Sequence, residues 1–490
     1  MNFHTIISHP ARATHAQDAQ RPRARRGFRC ALKTGFPILM FAMMFAMTFA
    51  MVAGALSGAE LPLRGEVLGI VRRSASAEVA RHTDSATSGN AIGNAWTDAA
   101  FFTGAVKLVD EVDAPDILEF CLKTAGQLNY AHRGGWAPIH LINADDMAIG
   151  DLYQAVYLRT GWVGALLPLK QRLDYTLPYL KREPEPSRLV WWWCDALFMA
   201  PPVWARMTAI TGDRGYIDAM DVQWWRVHKR LYDRQERLFA RDARFIERRS
   251  ENGRKIFWSR GQGWVLAGLC RVLELMPADY PSRSRYITLF REMAGRIASL
   301  QHPDGLWRAS LLDPETFPEP ETSGTALFTY ALAFGVNHGL LERDIYLPHV
   351  LKGWAGLNRF VLPDGILGQV QTTGDQPVPT KRESTALYAT GAFILAGLEV
   401  ARLAESAGKP ASLPLPARKA PQLKYEAANW GPRKLPAMPT PEQLKEYERN
   451  EAERRAVADQ SFDPMTDDPG FVPLYPLSCS KVSPKYLSPF

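Results

Sequence analysis

At 490 residues, with 46% hydrophobic and 22% charged side chains, the chain holds ample apolar material for a buried core, and its length admits up to three domains. Its net charge of +7 is concentrated at the amino end, where Arg12, Arg21, Arg23, Arg25, Arg26, Arg29 and Lys33 face a single acid, Asp18; the rest carries roughly +1. That near-neutral body excludes a nucleic-acid-binding face, and the widely spaced Cys30, Cys121, Cys194, Cys270 and Cys479 exclude a zinc site and a dense disulfide framework, leaving buried free thiols as the expected state.

The first predicted element is an export segment over residues 1–59. A basic cluster, Arg21 to Lys33, precedes an apolar run over 36–56 and then small residues, with cleavage before Glu60 or as late as before Glu78. Arg25-Arg26-Gly27-Phe28 resembles the start of a twin-arginine signal, and the same layout serves the general secretion route. The apolar run reaches the about 20 residues that span a bilayer, so a retained membrane anchor is the alternative. Either way the body is expected to be exported, periplasmic or extracellular.

From residue 95 to 405 the sequence is a succession of helix-period segments separated by loops rich in Gly, Pro and Asp. In the clearest of them Tyr286, Phe290, Met293, Ile297 and Leu300 form one apolar stripe, and Gln301-His302-Pro303-Asp304-Gly305 ends it. Further helices are predicted near 116–128, 147–159, 205–211, 216–232, 263–275, 325–336 and 384–403. Several are apolar nearly all round, for example Ala386 to Leu395, and a helix without a polar face must be buried on both sides. Two concentric helical layers follow, an all-α architecture. Residues 406–490, Pro-rich and then charged, are expected to be an appendage.

The chemistry-bearing residues sit in the loops. Tyr130, Trp136, Trp191, Trp192, Trp193, Trp258, Trp264 and Trp307 cluster at segment ends, and aromatic faces suit the CH faces of sugar rings. Asn143-Ala144-Asp145-Asp146 offers two adjacent carboxylates at a helix start, of which one is expected to face a cleft. Asp195, after Trp191-Trp192-Trp193-Cys194, is read either as a helix cap or as a cleft acid. A cap lowers its pKa, whereas desolvation against indoles raises it. Arg241-Asp242 reads as a local ion pair. In Trp258-Ser259-Arg260-Gly261-Gln262-Gly263-Trp264 an arginine lies between two indoles, placed to grip a substrate carboxylate. His302 and Glu321 are further cleft candidates.

Taken in order, Trp192 to Pro202, Trp258 to Trp264, Leu311-Leu312-Asp313-Pro314-Glu315, Glu321-Thr322-Ser323-Gly324-Thr325 and Ser384 to Gly391 resemble glycoside hydrolase family 105, the unsaturated rhamnogalacturonyl hydrolases, and the related family 88. The resemblance covers roughly 96–403 and implies an (α/α)6 barrel with the site in its mouth. It implies hydrolysis of a terminal 4,5-unsaturated uronic acid from pectin-derived oligosaccharides, with Asp195 protonating C4 and activating water. Asp145 or Asp146 matches the second acidic position; Trp193 stacks near Asp195, and Arg260, Trp258 and Trp264 shape the subsite. No metal or organic cofactor is implied, and the partner is the oligosaccharide, with a membrane involved only if the amino-terminal apolar run is retained. Rival readings are an unsaturated glucuronyl hydrolase, a non-catalytic carbohydrate-binding toroid and a lyase on the same scaffold.

Overall fold

The computed structural model describes residues 61–83, 92–136, 138–181, 189–405 and 410–415. The expected export segment and nearly all of the C-terminal extension lie outside the described residues.

The described helices alternate between two layers. In chain order they are α1 (Arg64–Thr83), α2 (Trp96–Glu111), α3 (Pro115–Gln127), α4 (Gly150–Thr160), α5 (Val163–Lys181) and α6 (Pro201–Thr211). They continue as α7 (Gly215–Leu231), α8 (Ser259–Leu275), α9 (Arg283–Ser299), α10 (Thr322–Asn337), α11 (Arg343–Asn358) and α12 (Leu387–Glu405). Each even-numbered helix pairs with the odd-numbered one after it, and α12 returns to pair with α1. The even helices also touch one another in sequence, α2 to α4 and onward to α12, which closes on α2. The result is the (α/α)6 barrel, six hairpins with the even helices inside.

Burial follows from sequence pattern. Inner helix α10 is buried at every position, whereas outer helix α9 buries mainly the stripe Tyr286, Leu289, Phe290, Met293 and Ile297. Where the ring closes, the inner helices meet backbone to backbone: a Cβ on Gly391 would lie 2.2 Å from the Ala100 carbonyl oxygen, and one on Gly104 2.5 Å from that of Gly391.

The helical body opens at α1, ahead of the start at residue 95 that periodicity suggested. Glu78 in α1 is buried and accepts a 2.8 Å hydrogen bond from Thr390 Oγ1 of α12. A mature chain beginning at Glu78 would lack most of this outer helix, whereas one beginning at Glu60 keeps it whole. At the other end, Ala411 and Leu415 donate backbone hydrogen bonds to Asn337 and Glu274, so the first residues after α12 lie against the barrel.

Because the layers alternate in direction, all six inner helices start at the same mouth. The loops leading into them carry Asn143 to Asp146, Trp191 to Asp195, Trp258 and Glu321. Two short ribbons, Tyr232–Asp233 with Leu238–Phe239 and Trp307–Arg308 with Pro320–Glu321, brace that end. Helix N-termini carry partial positive charge, so the mouth is biased toward anions.

Candidate active site

Asp195 precedes the single turn Ala196–Met199, yet its side chain makes no capping bond. Asp195 is 7% exposed, and its carboxylate instead receives Arg241 Nε at 3.1 Å on Oδ2. Burial raises its pKa, opposed by Arg241 and Arg260. The capping alternative therefore fails on geometry and on electrostatics together.

The second acidic segment is capped by Asn143, whose Oδ1 accepts from the Asp145 N–H at 2.8 Å, which releases both aspartates from that role. They diverge, as adjacent side chains must. Asp146 is buried and its Oδ2 lies 2.6 Å from His140 Nδ1. Asp145 turns toward Asp195: burial and then the negative charge of Asp195 push its carboxyl up to about 7, while Arg241 and Arg133 oppose the rise. The negative charge of Asp195 thus helps to hold the Asp145 carboxyl up, which couples the two acids electrostatically.

Arg241 is the cation of this pair, a role the sequence did not disclose. Its Nη1 also donates to Asp242 Oδ2 at 2.8 Å, and its guanidinium lies 5.5 Å from the centre of the Trp192 ring. Asp242 in turn holds Arg244, which reaches Asp375. The local ion pair read from Arg241-Asp242 exists and extends into a chain that ends on Asp195. The signal available was only the basic stretch that follows Phe239.

The Trp258–Trp264 motif builds the wall behind these acids. Arg260 is fully buried, against the expectation that it presents its fork to a ligand: it donates to the carbonyls of Gln371 at 2.7 Å and Thr372 at 2.9 Å and to Tyr388 Oη at 2.9 Å. Trp258 and Tyr388 stack on its guanidinium. Arg260 therefore acts on Asp195 through space while fastening the 371–372 loop. Gly261 lets α8 approach closely: a Cβ there would sit 3.0 Å from Trp258, 3.2 Å from Cys194 Sγ and 3.5 Å from Asp195 Oδ1, and the first two would have to give way slightly. Gln262 clasps the Phe239 backbone with Nε2 and Oε1, at 2.6 and 2.8 Å, and so sets the strand that delivers Arg241.

The remaining candidates separate. Trp193 is buried beside Asp195 and Trp192 half-buried against it, their ring centres 4.9 Å apart. Trp264 packs inside the barrel among Trp96, Phe198 and Tyr388, and Trp307 is fully buried with Nε1 bonded to the Ile297 carbonyl, so both are core residues. Trp258 is 3% exposed and bonds Gln371. His302 belongs to the turn after α9, with Arg308 and Asp304 as its electrostatic neighbours. Glu321 caps α10, accepting from the N–H groups of Ser323 and Gly324. Cys121, Cys194 and Cys270 are buried free thiols.

A cavity of about 620 Å³ opens at the other end of the barrel, lined among others by Lys107, Arg206, Glu274 and Leu415. Its cations are matched by acids, Lys107 to Glu274 and Arg206 to Asp151, so the coupled acid pair is a feature of the mouth alone among these two.

With this geometry in place, comparison with known proteins is informative. The profile of Glycosyl Hydrolase Family 88 matches residues 70–404. The unsaturated 3S-rhamnoglycuronyl hydrolase of Formosa agariphila is 41% identical over 329 residues, covering 63% of this chain and 85% of that one. A protein of the same name from Alteromonas sp. (strain LOR) is 36% identical over 324 residues, 62% of this chain and 77% of that one. Among solved structures, a glycosyl hydrolase family 88 protein from Bacteroides vulgatus superposes with a TM-score of 0.64 at 30% identity, over 70% of this chain and 99% of that one. The chain belongs to glycosyl hydrolase family 88 and is a glycoside hydrolase.

Proposed function

We propose that this enzyme removes a 4,5-unsaturated uronic acid from the non-reducing end of rhamnose-containing uronate oligosaccharides, by hydrating the C4=C5 double bond. The observation that carries the reading is the uncapped, desolvated Asp195 in electrostatic contact with a second carboxyl that titrates near neutrality. The names of the two curated relatives support the substrate class, and the positive helix ends at the mouth suit an anionic sugar.

In this mechanism Asp195 gives its proton to C4, and the π electrons form the new C–H bond, leaving positive charge shared by C5 and the ring oxygen. Water adds to C5 and returns a proton to the Asp195 carboxylate. The resulting hemiketal opens by breaking the bond from C5 to the ring oxygen, which takes up a proton. C1 then carries a hydroxyl and the leaving sugar, and this hemiacetal collapses to an aldehyde and a free alcohol. One proton-shuttling carboxyl suffices, so the spacing rule for displacement at the anomeric carbon does not govern the pair. Asp145 shares the proton with Asp195 and contacts the sugar, and Arg241 balances the carboxylate left after each transfer.

The test is the ultraviolet absorbance of the conjugated uronate on unsaturated rhamnogalacturonan-type and glucuronan-type oligosaccharides. Loss of absorbance by the wild type and a fall of about 10²–10⁴-fold in Asp195→Asn are expected. A gain of absorbance from saturated polymer identifies a lyase, and no change identifies a binding protein. The basic-then-apolar amino end extends the proposal to an exported enzyme, to be checked by fractionating cells that express the full chain.

A further inference from the structure

The loop that leads into Asp145 also leads away from the site. It begins in left-handed backbone at Asn129 and Tyr130 and turns again through Gly134 and Gly135, all at positive φ. Arg172, buried on α5, holds both its arms by donating to the Gly135 carbonyl at 2.9 Å and to the His140 carbonyl. The catalytic rim is thereby bolted to the outer helix α5. Trp136, half-buried at the tip, meets Tyr175 of α5 edge to face, with ring centres 5.9 Å apart and planes at 83°. Tyr179 lies one turn further along the same face. Tyr175 and Tyr179 are 37% and 39% exposed, and among the described residues they are the aromatic members of the exposed large apolar set.

Isolated exposed tyrosines need no explanation, but these stand on the helix to which the loop leading into Asp145 is fastened. Arg133, exposed on the same loop, is close enough to Asp145 to lower its pKa and so offers a cation on the loop that carries Trp136. α5 runs toward the mouth, so Tyr179 stands near the rim. Rings held at fixed angles, with hydroxyls at their tips, suit the CH faces and hydroxyls of successive sugars.

We propose that Trp136, Tyr175 and Tyr179 form a stacking track for the saccharide units beyond the cleaved bond, with Arg133 meeting an anionic group at its start. The inference rests on the uronate-oligosaccharide reading above and makes the enzyme selective for chain length. A disaccharide ends before the track, whereas a hexasaccharide reaches it.

The experiment compares kcat/KM on unsaturated oligosaccharides of two, four and six residues from one polymer, for the wild type, Tyr179→Ala and Tyr175→Ala/Tyr179→Ala. Alanine at exposed helical positions preserves the fold. The wild-type ratio of hexasaccharide to disaccharide is expected near tenfold, through KM, and to fall toward one in the double variant. A ratio independent of length, or unchanged in the variants, overturns the track. Binding of the hexasaccharide in an Asp195→Asn background separates the two proposals. Affinity that the tyrosine substitutions weaken about tenfold, beside a wild type that turns over no unsaturated sugar, overturns the hydrolase reading and keeps the track. Equal affinity with and without the tyrosines overturns the track and leaves the hydrolase.

Discussion

Replacing Arg241 with alanine isolates the electrostatics of the acid pair. The guanidinium lies 3.1 Å from Asp195 Oδ2 and 2.8 Å from Asp242 Oδ2, and both it and Asp195 are largely buried. Opposite charges about 4 Å apart attract by about 4 kcal/mol at an effective dielectric near 20, and about 1.4 kcal/mol corresponds to one pKa unit. Arg241 therefore holds the Asp195 pKa down against the rise that burial imposes, and water entering the vacated space screens part of the change seen on its removal. A carboxylate that loses its cation binds its proton more tightly, so the donor stays protonated to higher pH. The alkaline limb of kcat/KM moves up, while plateau kcat falls because the tighter proton is a poorer gift to carbon. The segment itself should hold: the Cys194 N–H to Arg241 carbonyl bond of 2.8 Å survives, and Asp242 keeps Arg244. Following uronate absorbance from about pH 4 to pH 9 reads the limb directly. A limb that stays in place or moves down refutes the assignment of Arg241 as counter-charge to the acid.

The opposite shift is expected of Asp145→Asn, since removing a neighbouring negative charge lowers the Asp195 pKa and draws the alkaline limb down; a limb moving upward contradicts the coupling. Arg260→Ala removes three buried hydrogen bonds from a charged donor and should cost about 3 kcal/mol or more, read as a several-degree loss in Tm; an unchanged Tm with a raised KM would instead make Arg260 a substrate ligand. Calorimetry of a saturated, non-hydrolysed uronate oligosaccharide in buffers of different ionisation heat should show proton uptake on binding at pH about 7–8, diminished in Asp145→Asn; no buffer dependence would mean that the pair does not respond to the ligand.

The barrel was legible because inner and outer helices differ in what a sequence displays. α12 and α10 are apolar on every face, which only a doubly buried helix tolerates, and the stripe of α9 could face only one way. What escaped the periodicity reading were α5 and α11, which hold Pro168, Pro178 and Pro348 inside them, the inner helix α2, and α1, ahead of the expected start. Proline removes one backbone bond and is taken as a stop, yet packing on the barrel carries these helices through it. At the site, Asp195 and the Asp145-Asp146 pair were legible as candidates from chemistry and spacing. Which aspartate was not, because the answer depends on Asn143 taking the cap and on His140 claiming Asp146. The motif around Arg260 was recognised but its job was misjudged, since a Gly-rich sequence reads as an exposed loop, whereas here the glycines serve tight packing of α8 on Asp195 and Leu327.

The exchange of roles between the two arginines bears on how the acid is kept ready. Arg260, enclosed and bonded through both Nη atoms to neutral oxygens, acts on Asp195 at a distance; Arg241 contacts it and is itself shared with Asp242. One shared cation cannot neutralise two carboxylates, so ionising both Asp145 and Asp195 is disfavoured and the pair favours keeping a proton, in line with the elevation of Asp145 to about 7. An incoming uronate brings a further negative charge and expels water. Both effects disfavour the ionised pair and raise its affinity for that proton. The proton needed at C4 is therefore held most firmly on the pair when the sugar is in place, and the positive helix ends of the mouth offset part of the repulsion that the carboxylate meets on entry. Asp145 adds to burial in opposing the pull of Arg241 and Arg260, which is the physical contribution of the second carboxyl to keeping Asp195 a proton donor.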